Sequence, residues 1–135
     1  MSPASADVVR GVFDAAARGD KEAMFGLLRP GVEWQLIGLI PDQASFYRGR
    51  EEVWAYALSM AVQIEDMAAE LTEVTEIDEH VVARVHLSGR GHGSGEPVNV
   101  EFSMLVKLEQ GRIARADDYE DHEEALTDAE LRRKS

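Results

Sequence analysis

The segment Val100-Glu101-Phe102-Ser103-Met104-Leu105-Val106-Lys107-Leu108 decides the fold, because its side chains alternate in character with a period of two. Val100, Phe102, Met104, Val106 and Leu108 share one face, and Glu101, Ser103, Leu105 and Lys107 share the other. A strand with one apolar and one largely polar face belongs to an antiparallel sheet whose two sides meet different surroundings. Gln110-Gly111 then turns the chain into Arg112 to Tyr119, which reads as the last strand. Upstream, Val81, Ala83, Val85 and Leu87 alternate with Val82, Arg84, His86 and Ser88, and the glycine-rich stretch from Gly89 to Gly95 reads as the turn between these two strands. Leu71 to Ile77 is a further strand.

Towards the N-terminus the spacing changes to that of helices. Val8, Val9, Val12, Phe13 and Ala16 recur at three and four residues, after a start at Ser2 and Pro3 or at Ser5 and Asp7, and Gly19 ends the pattern. Asp20 caps a short second helix with Ala23, Met24, Leu27 and Leu28 inward, ended by Arg29-Pro30-Gly31. Val32 to Ile37 reads as an early strand with Val32, Trp34 and Leu36 opposite Glu33 and Gln35. Gly38 to Ser45 is a loop. A third helix starts near Gly49, with Glu51 and Glu52 in its first turn and Val53, Trp54, Ala57, Leu58 and Ala61 as its apolar face. Asp121 with Glu124 three residues on is a capping-box pattern opening a short terminal helix that ends in Arg132, Arg133 and Lys134. Three helices with one strand among them, followed by a run of strands, predict an α+β fold forming a single domain over 1–135.

Composition bounds the partners. The 135 residues carry 14 Lys and Arg against 26 Asp and Glu, a net charge of −12, which argues against nucleic acid and anionic lipid as partners. There is no cysteine, so disulfides, thiol nucleophiles and cysteine zinc sites are excluded. No apolar run approaches the roughly 20 residues that span a bilayer. Met1 to Ala6 show no secretory signal, so a cytoplasmic protein is expected. His80, His86 and His92 are spaced by six residues, about 20 Å of strand, too far apart to share a metal at about 2 Å. No metal site is therefore expected. His86 is expected outward beside Arg84, opposite Glu101 or Asp117, and Gly89 to Gly95 lacks the spacing of a phosphate-binding loop.

Several words in this order resemble the SnoaL-like branch of the NTF2-like superfamily: Arg18-Gly19-Asp20, Pro30-Gly31-Val32-Glu33-Trp34, Tyr47-Arg48-Gly49-Arg50-Glu51, the Gly89–Gly95 hairpin, Gly111-Arg112-Ile113, Asp118-Tyr119 and Glu124-Ala125-Leu126. The resemblance implies a conical half-barrel, a curved antiparallel sheet wrapped around three helices with a deep pocket. It also implies a homodimer through the sheet's outer face, here Arg84, His86, Glu101 and Lys107. Relatives of this kind include polyketide cyclases, ketosteroid isomerases, dehydratases and epoxide hydrolases. The isomerase mechanism needs a base, a tyrosine and a protonated acid. Those positions fall near Gln35, Val12 and Met104, which cannot do that work.

SnoaL-type cyclases use an aspartate late in the chain, which resemblance assigns to Asp118. Alignment places Ala116, Asp118 and Glu120 on the pocket side and Arg115, Asp117 and Tyr119 outward. Beside an apolar wall Asp118 gains a raised pKa and can move a proton near neutral pH; the alternative is an ion-paired carboxylate at the sheet end. Glu120 or His122 would assist. Trp34 and Gln35 would orient the ligand, or else serve as core and strand-edge residues. Val85, Phe102, Met104, Val106 and Ala116 would line the pocket. The expectation is a cofactor-free isomerase or cyclase acting on a small apolar carbonyl compound. The alternatives are a non-catalytic binding protein for a small hydrophobic ligand and an adaptor dimer.

Overall fold

The computed structural model describes residues 5–36 and 46–134. The expected cap at Ser2 and Pro3 and the loop at 38–45 lie outside them. The elements run α1 (Ser5–Arg18), α2 (Lys21–Leu27), β1 (Leu28–Gln35), β2 (Phe46–Arg48), α3 (Arg50–Gln63), β3 (Ile64–Ile77), β4 (His80–Gly91), β5 (Pro97–Glu109), β6 (Arg112–Tyr119) and α4 (His122–Lys134). The strands form one curved, unclosed sheet in the order β2-β1-β6-β5-β4-β3. The sheet is mixed: β1 lies parallel to β6, and the other neighbours are antiparallel.

Local chemistry explains the boundaries. The Asp20 carboxylate accepts from the Ala23 amide at 3.1 Å and starts α2. Asp121 does the same for Glu123 at 3.0 Å before α4. Gln110 and Gly111 both have positive φ, 54° and 76°, the backbone of the two-residue hairpin that joins β5 to β6. Two strands outrun their sequence reading. β3 begins at Ile64, directly after α3, although the alternation becomes visible only near Leu71. β4 continues to Gly91, so the turn is confined to 92–96. Gly89 makes that longer pairing possible, because a Cβ there would stand 2.5 Å from Ile64 Cγ2 and 2.7 Å from the Glu65 carbonyl.

Register sorts the side chains into two faces. Val85 opposite Phe102 and Met104 opposite Asp118 point to the concave side, with Trp34 and Ala116. There they meet Val8, Val9, Val12, Ala15 and Ala16 of α1, Met24 of α2, and Val53 and Met60 of α3 in one core. Arg84 opposite Ser103, His86 opposite Glu101, and Leu105 opposite Asp117 point to the convex side. The outward placement of His86 is as the alternation predicts.

The convex side is not left to charge alone. A second core of Ile77, Val82, Leu105, Ala125 and Ala129 packs α4 onto it, so the sheet carries helices on both faces rather than on one. The signal was Val82 and Leu105, two apolar residues on an otherwise polar face. The register of α3 also differs from its sequence reading. Val53 and Met60 are buried, while Leu58 is 41% exposed. This helix is apolar around most of its circumference, so spacing alone does not choose its inner stripe. Among the described residues, no helix is long and apolar enough to cross a membrane.

Leu105 is fully buried under α4. Leu105→Ala should therefore lower the unfolding free energy by about 2–5 kcal/mol in urea titrations. An unchanged midpoint would show that α4 is not anchored through this residue.

Candidate active site

Between the helices and the concave face of the sheet lies a cavity of about 70 Å³. Such a space holds several waters or a few heavy atoms of a ligand. Val12 and Phe13 of α1 and Val53, Tyr56, Ala57 and Met60 of α3 form one wall. Trp34, Tyr47, Met67, Leu87 and Phe102 come from β1 to β5, and Asp118 from β6. Among these residues Asp118 is the one carboxyl group, and the polar atoms besides it are the Trp34 indole N–H and the hydroxyls of Tyr47 and Tyr56.

Asp118 reaches the cavity because β6 alternates. Its chain neighbour Asp117 points the other way, where Arg115 donates to it from Nε and Nη2 at 3.1 and 3.0 Å and Arg132 of α4 donates from Nη1 at 2.9 Å. Burial works to raise the Asp117 pKa, but these hydrogen bonds and charges outweigh it and hold the group below the usual carboxylate value. Asp118 has no such cations. Burial pushes its pKa up to about 7; the bond from Trp34 opposes the shift and the charge of Asp117 adds to it. The Trp34 Nε1–H donates to Asp118 Oδ1 at 3.2 Å. This indole therefore acts as both wall and donor.

Tyr47 and Tyr56 are the polar lining residues that sequence reasoning missed, and Tyr56 stands under the influence of Asp118. Its phenol faces the same cavity, and its pKa is raised by burial, then by the charge of Asp118, then by Tyr47. The rings of Tyr47 and Tyr56 pack at 5.0 Å between centroids. Val53, Tyr56, Ala57 and Met60, spaced by three, one and three residues, form a helical stripe, but α3 offers several such apolar stripes and spacing does not single this one out.

The remaining candidates divide clearly. Phe102 lines the cavity. Val85, Met104, Val106 and Ala116 are on the same face but fully buried in the core beside it, in one cluster with residues of α1, α2 and α3. Gln35 lies on the convex face opposite Asp117 and donates to the Leu36 carbonyl at 3.4 Å, so strand alternation removes it from the cavity. Glu120 is exposed beyond the end of β6.

His122 does not approach Asp118, because the sheet separates them. Its Nδ1 is 2.8 Å from Ser103 Oγ, and its Nε2 is 3.1 Å from the Glu73 carboxylate on the convex side. Serine, histidine and acid are thus joined in a chain, but Ser103 is 1% exposed and cannot meet a substrate. The three groups tie the start of α4 to the sheet.

Residues 9–116 match the family model of the SnoaL-like domain. Solved structures share the fold. An NTF2-like protein of unknown function from Burkholderia pseudomallei K96243 has a TM-score of 0.72 at 23% identity, covering 91% of this chain and 95% of its own. A hypothetical protein with a ketosteroid isomerase-like fold from Catenulispora acidiphila DSM 44928, in complex with trimethylamine, has a TM-score of 0.73 at 17% identity, covering 100% and 98%. A protein from Jannaschia sp. CCS1, provisionally named a SnoaL-like polyketide cyclase, has a TM-score of 0.71 at 20% identity, covering 91% and 89%. Likeness at these identities is likeness of fold. No curated protein matches the sequence. The family match over most of the chain and the agreement in architecture establish that the protein belongs to the SnoaL-like domain family and has its NTF2-like fold.

Proposed function

We propose that this protein is a cofactor-free isomerase or cyclase that moves a proton on a small, largely apolar carbonyl compound, with Asp118 as the acid–base group. The observation that carries the reading is a lone carboxyl group in the lining of an apolar cavity, buried, with a pKa of about 7 and a hydrogen-bond donor on one oxygen. A carboxylate tuned to neutral pH can take a proton and give it back, which a solvated carboxylate does poorly. Trp34 occupies Oδ1 and fixes the carboxyl plane, leaving Oδ2 for the proton in transit. Asp118 removes a proton from the carbon next to the carbonyl. Tyr56 donates to the carbonyl oxygen, which gains negative charge as the enolate forms. Return of the proton at another carbon completes an isomerisation; attack of the enolate carbon on a second carbonyl in the same molecule closes a ring, and the alkoxide that forms takes up the proton held by Asp118. The apolar walls exclude water and strengthen each of these interactions.

A second reading has its own support. Five aromatic rings, from Phe13, Trp34, Tyr47, Tyr56 and Phe102, line the cavity and would hold a small hydrophobic ligand without turnover. The Catenulispora protein, which shares the fold, is a complex with a very small molecule, trimethylamine. The two readings separate on chemistry at the bound ligand's carbon atoms.

We also read the chain as a homodimer in the cytoplasm. The convex face expected to carry the dimer is divided by α4. Arg84, His86 and Glu101 lie on one side of it, and Lys107 lies beyond its other end. The open part around Glu70, His86 and Glu101 is the surface left for a partner copy.

With cyclopentanone and related small ketones in deuterated buffer, the protein should speed exchange at the carbons beside the carbonyl, and Asp118→Asn should abolish the effect while the fold stays intact. Exchange that is equal in both proteins would remove Asp118 from the chemistry. The exchange rate should rise with pH and level off above about 7, because the carboxylate is the active form.

Stability should run the opposite way. Unfolded Asp118 loses its proton near 3.8 and the folded group only near 7, so the native state binds more protons between these values. Unfolding free energy should therefore fall as pH rises through that window and flatten above it. Asp118→Asn should remove this component, and an identical pH profile in the variant would contradict the burial of the carboxyl group.

Sedimentation equilibrium at micromolar concentration should return twice the 14.9 kDa chain mass, and a monomer mass would contradict the dimer.

A further inference from the structure

The two faces of β6 meet at one peptide. Asp117 is buried on the convex side and Asp118 on the concave side. A charge fixed on one is felt by the other through protein, where it is screened less than in solution. Among the described residues, the cavity lining around Asp118 carries no second charged group. Trp34 of β1, Tyr47 of β2 and Tyr56 of α3 are its polar members, and Val12 and Phe13 face it from α1. The charge that reaches Asp118 comes from behind, from Asp117.

The strength of that field depends on what surrounds Asp117. Arg115 donates to it from Nε and Nη2 at 3.1 and 3.0 Å and lies 3.5 Å from Glu33 of β1. Arg132 of α4 donates to it at 2.9 Å. Two carboxylates and two guanidiniums therefore stand together, and loss of any one leaves its counter-charge in place behind Asp118. Gln35 of β1 and Leu105 of β5 pair with Asp117 across the sheet and are uncharged. Farther out the pairing of signs repeats. Lys107 of β5, opposite Arg115, lies near Glu79 and Glu109, and the charge of Arg132 also reaches His80 of β4 and Tyr119, whose hydroxyl donates to Asp128.

We propose that Asp117 and Arg132 are positioning residues for the acid–base group: Asp117 opposes ionisation of Asp118 through the sheet, and Arg132, brought by α4, limits that opposition. The inference rests on the reading of Asp118 as the acid–base group and adds what regulates it. The arginines hold Asp117 below the usual carboxylate range, so it stays charged while Asp118 titrates and acts as a constant field. Arg115 belongs to the same strand as Asp117, whereas Arg132 comes from a separate helix. The docking of α4 is thereby linked to the pH at which the site works.

The test follows the Asp118 carboxyl carbon by nuclear magnetic resonance in protein labelled at aspartate, with the signal assigned by its loss in Asp118→Asn. Asp117→Asn keeps an acceptor for both arginines and removes the charge. The midpoint of the Asp118 titration should then fall by about 0.5–1.5 pH, the effect of one close charge in a medium between protein and water. Arg132→Gln removes a counter-charge and should raise the midpoint. The rise should be smaller, about 0.3–0.5, because this group acts through Asp117 and its side chain is 36% exposed. The opposite signs separate the proposal from a structural role, since a loosened sheet admits water to Asp118 and lowers the midpoint in both variants. A fall in both, or an unmoved midpoint in either, would overturn the proposal. The pH at which ketone exchange levels off should move with each midpoint. Midpoints that move as stated in a protein without exchange uphold the link between the faces and count against the reaction alone. Fixed midpoints with exchange that levels off near the same pH in every protein count against the link alone.

Discussion

Asp117 and Asp118 are consecutive residues that live in different solvents, and the chemistry of this molecule depends on that separation. A strand turns successive side chains to opposite faces, so the peptide between them marks the boundary between the ionic convex side and the apolar cavity. On one side, Arg115 and Arg132 surround a carboxylate and keep it ionised. On the other, a carboxyl group with one indole partner is held near neutrality by burial. A register slip of one residue would exchange the two and destroy both arrangements.

That register is secured by covering both faces of the sheet. α1 and α3 bury Val85, Phe102, Met104 and Val106 on the concave side, while α4 buries Val82 and Leu105 on the convex side. With apolar residues required on each face, no slipped pairing satisfies both. α4 is further tied by polar links, among them His122 to Ser103, Tyr119 to Asp128, and Arg132 to Asp117. The last of these joins the terminal helix to the strand that carries Asp118, so the helix that looks peripheral in the sequence helps to position the site.

The parallel pairing of β1 with β6 is the other structural requirement. It sets Trp34 opposite Ala116 and within reach of Asp118, 84 residues away in the chain. The indole N–H supplies the carboxyl group with one hydrogen bond in surroundings that otherwise offer few. This limits the cost of burial without adding a positive charge, so the group stays near neutral pKa rather than being locked as an anion. An arginine in place of Trp34 would repeat on the concave side what Arg115 does on the convex side.

The α+β class, the helix starts at Asp20 and Asp121 and the strands from Val81 to Tyr119 were determined by the sequence itself, because capping residues and alternation of period two or near four act over a few positions. The inner stripe of α3, the parallel neighbour of β1, the start of β3 at Ile64 and the cover of the convex face by α4 were decided only in three dimensions. In each case the local pattern was ambiguous. α3 is apolar on most sides, β3 is polar outward, and Val82 and Leu105 state that something covers them without saying what. The sites followed the same division. Asp118 and Trp34 were visible as candidates, but Gln35, Glu120 and His122 were placed elsewhere by alternation, by the end of β6 and by the sheet itself. Tyr56 became a neighbour of Asp118 only through the packing of α3 over the sheet, which one-dimensional spacing does not carry.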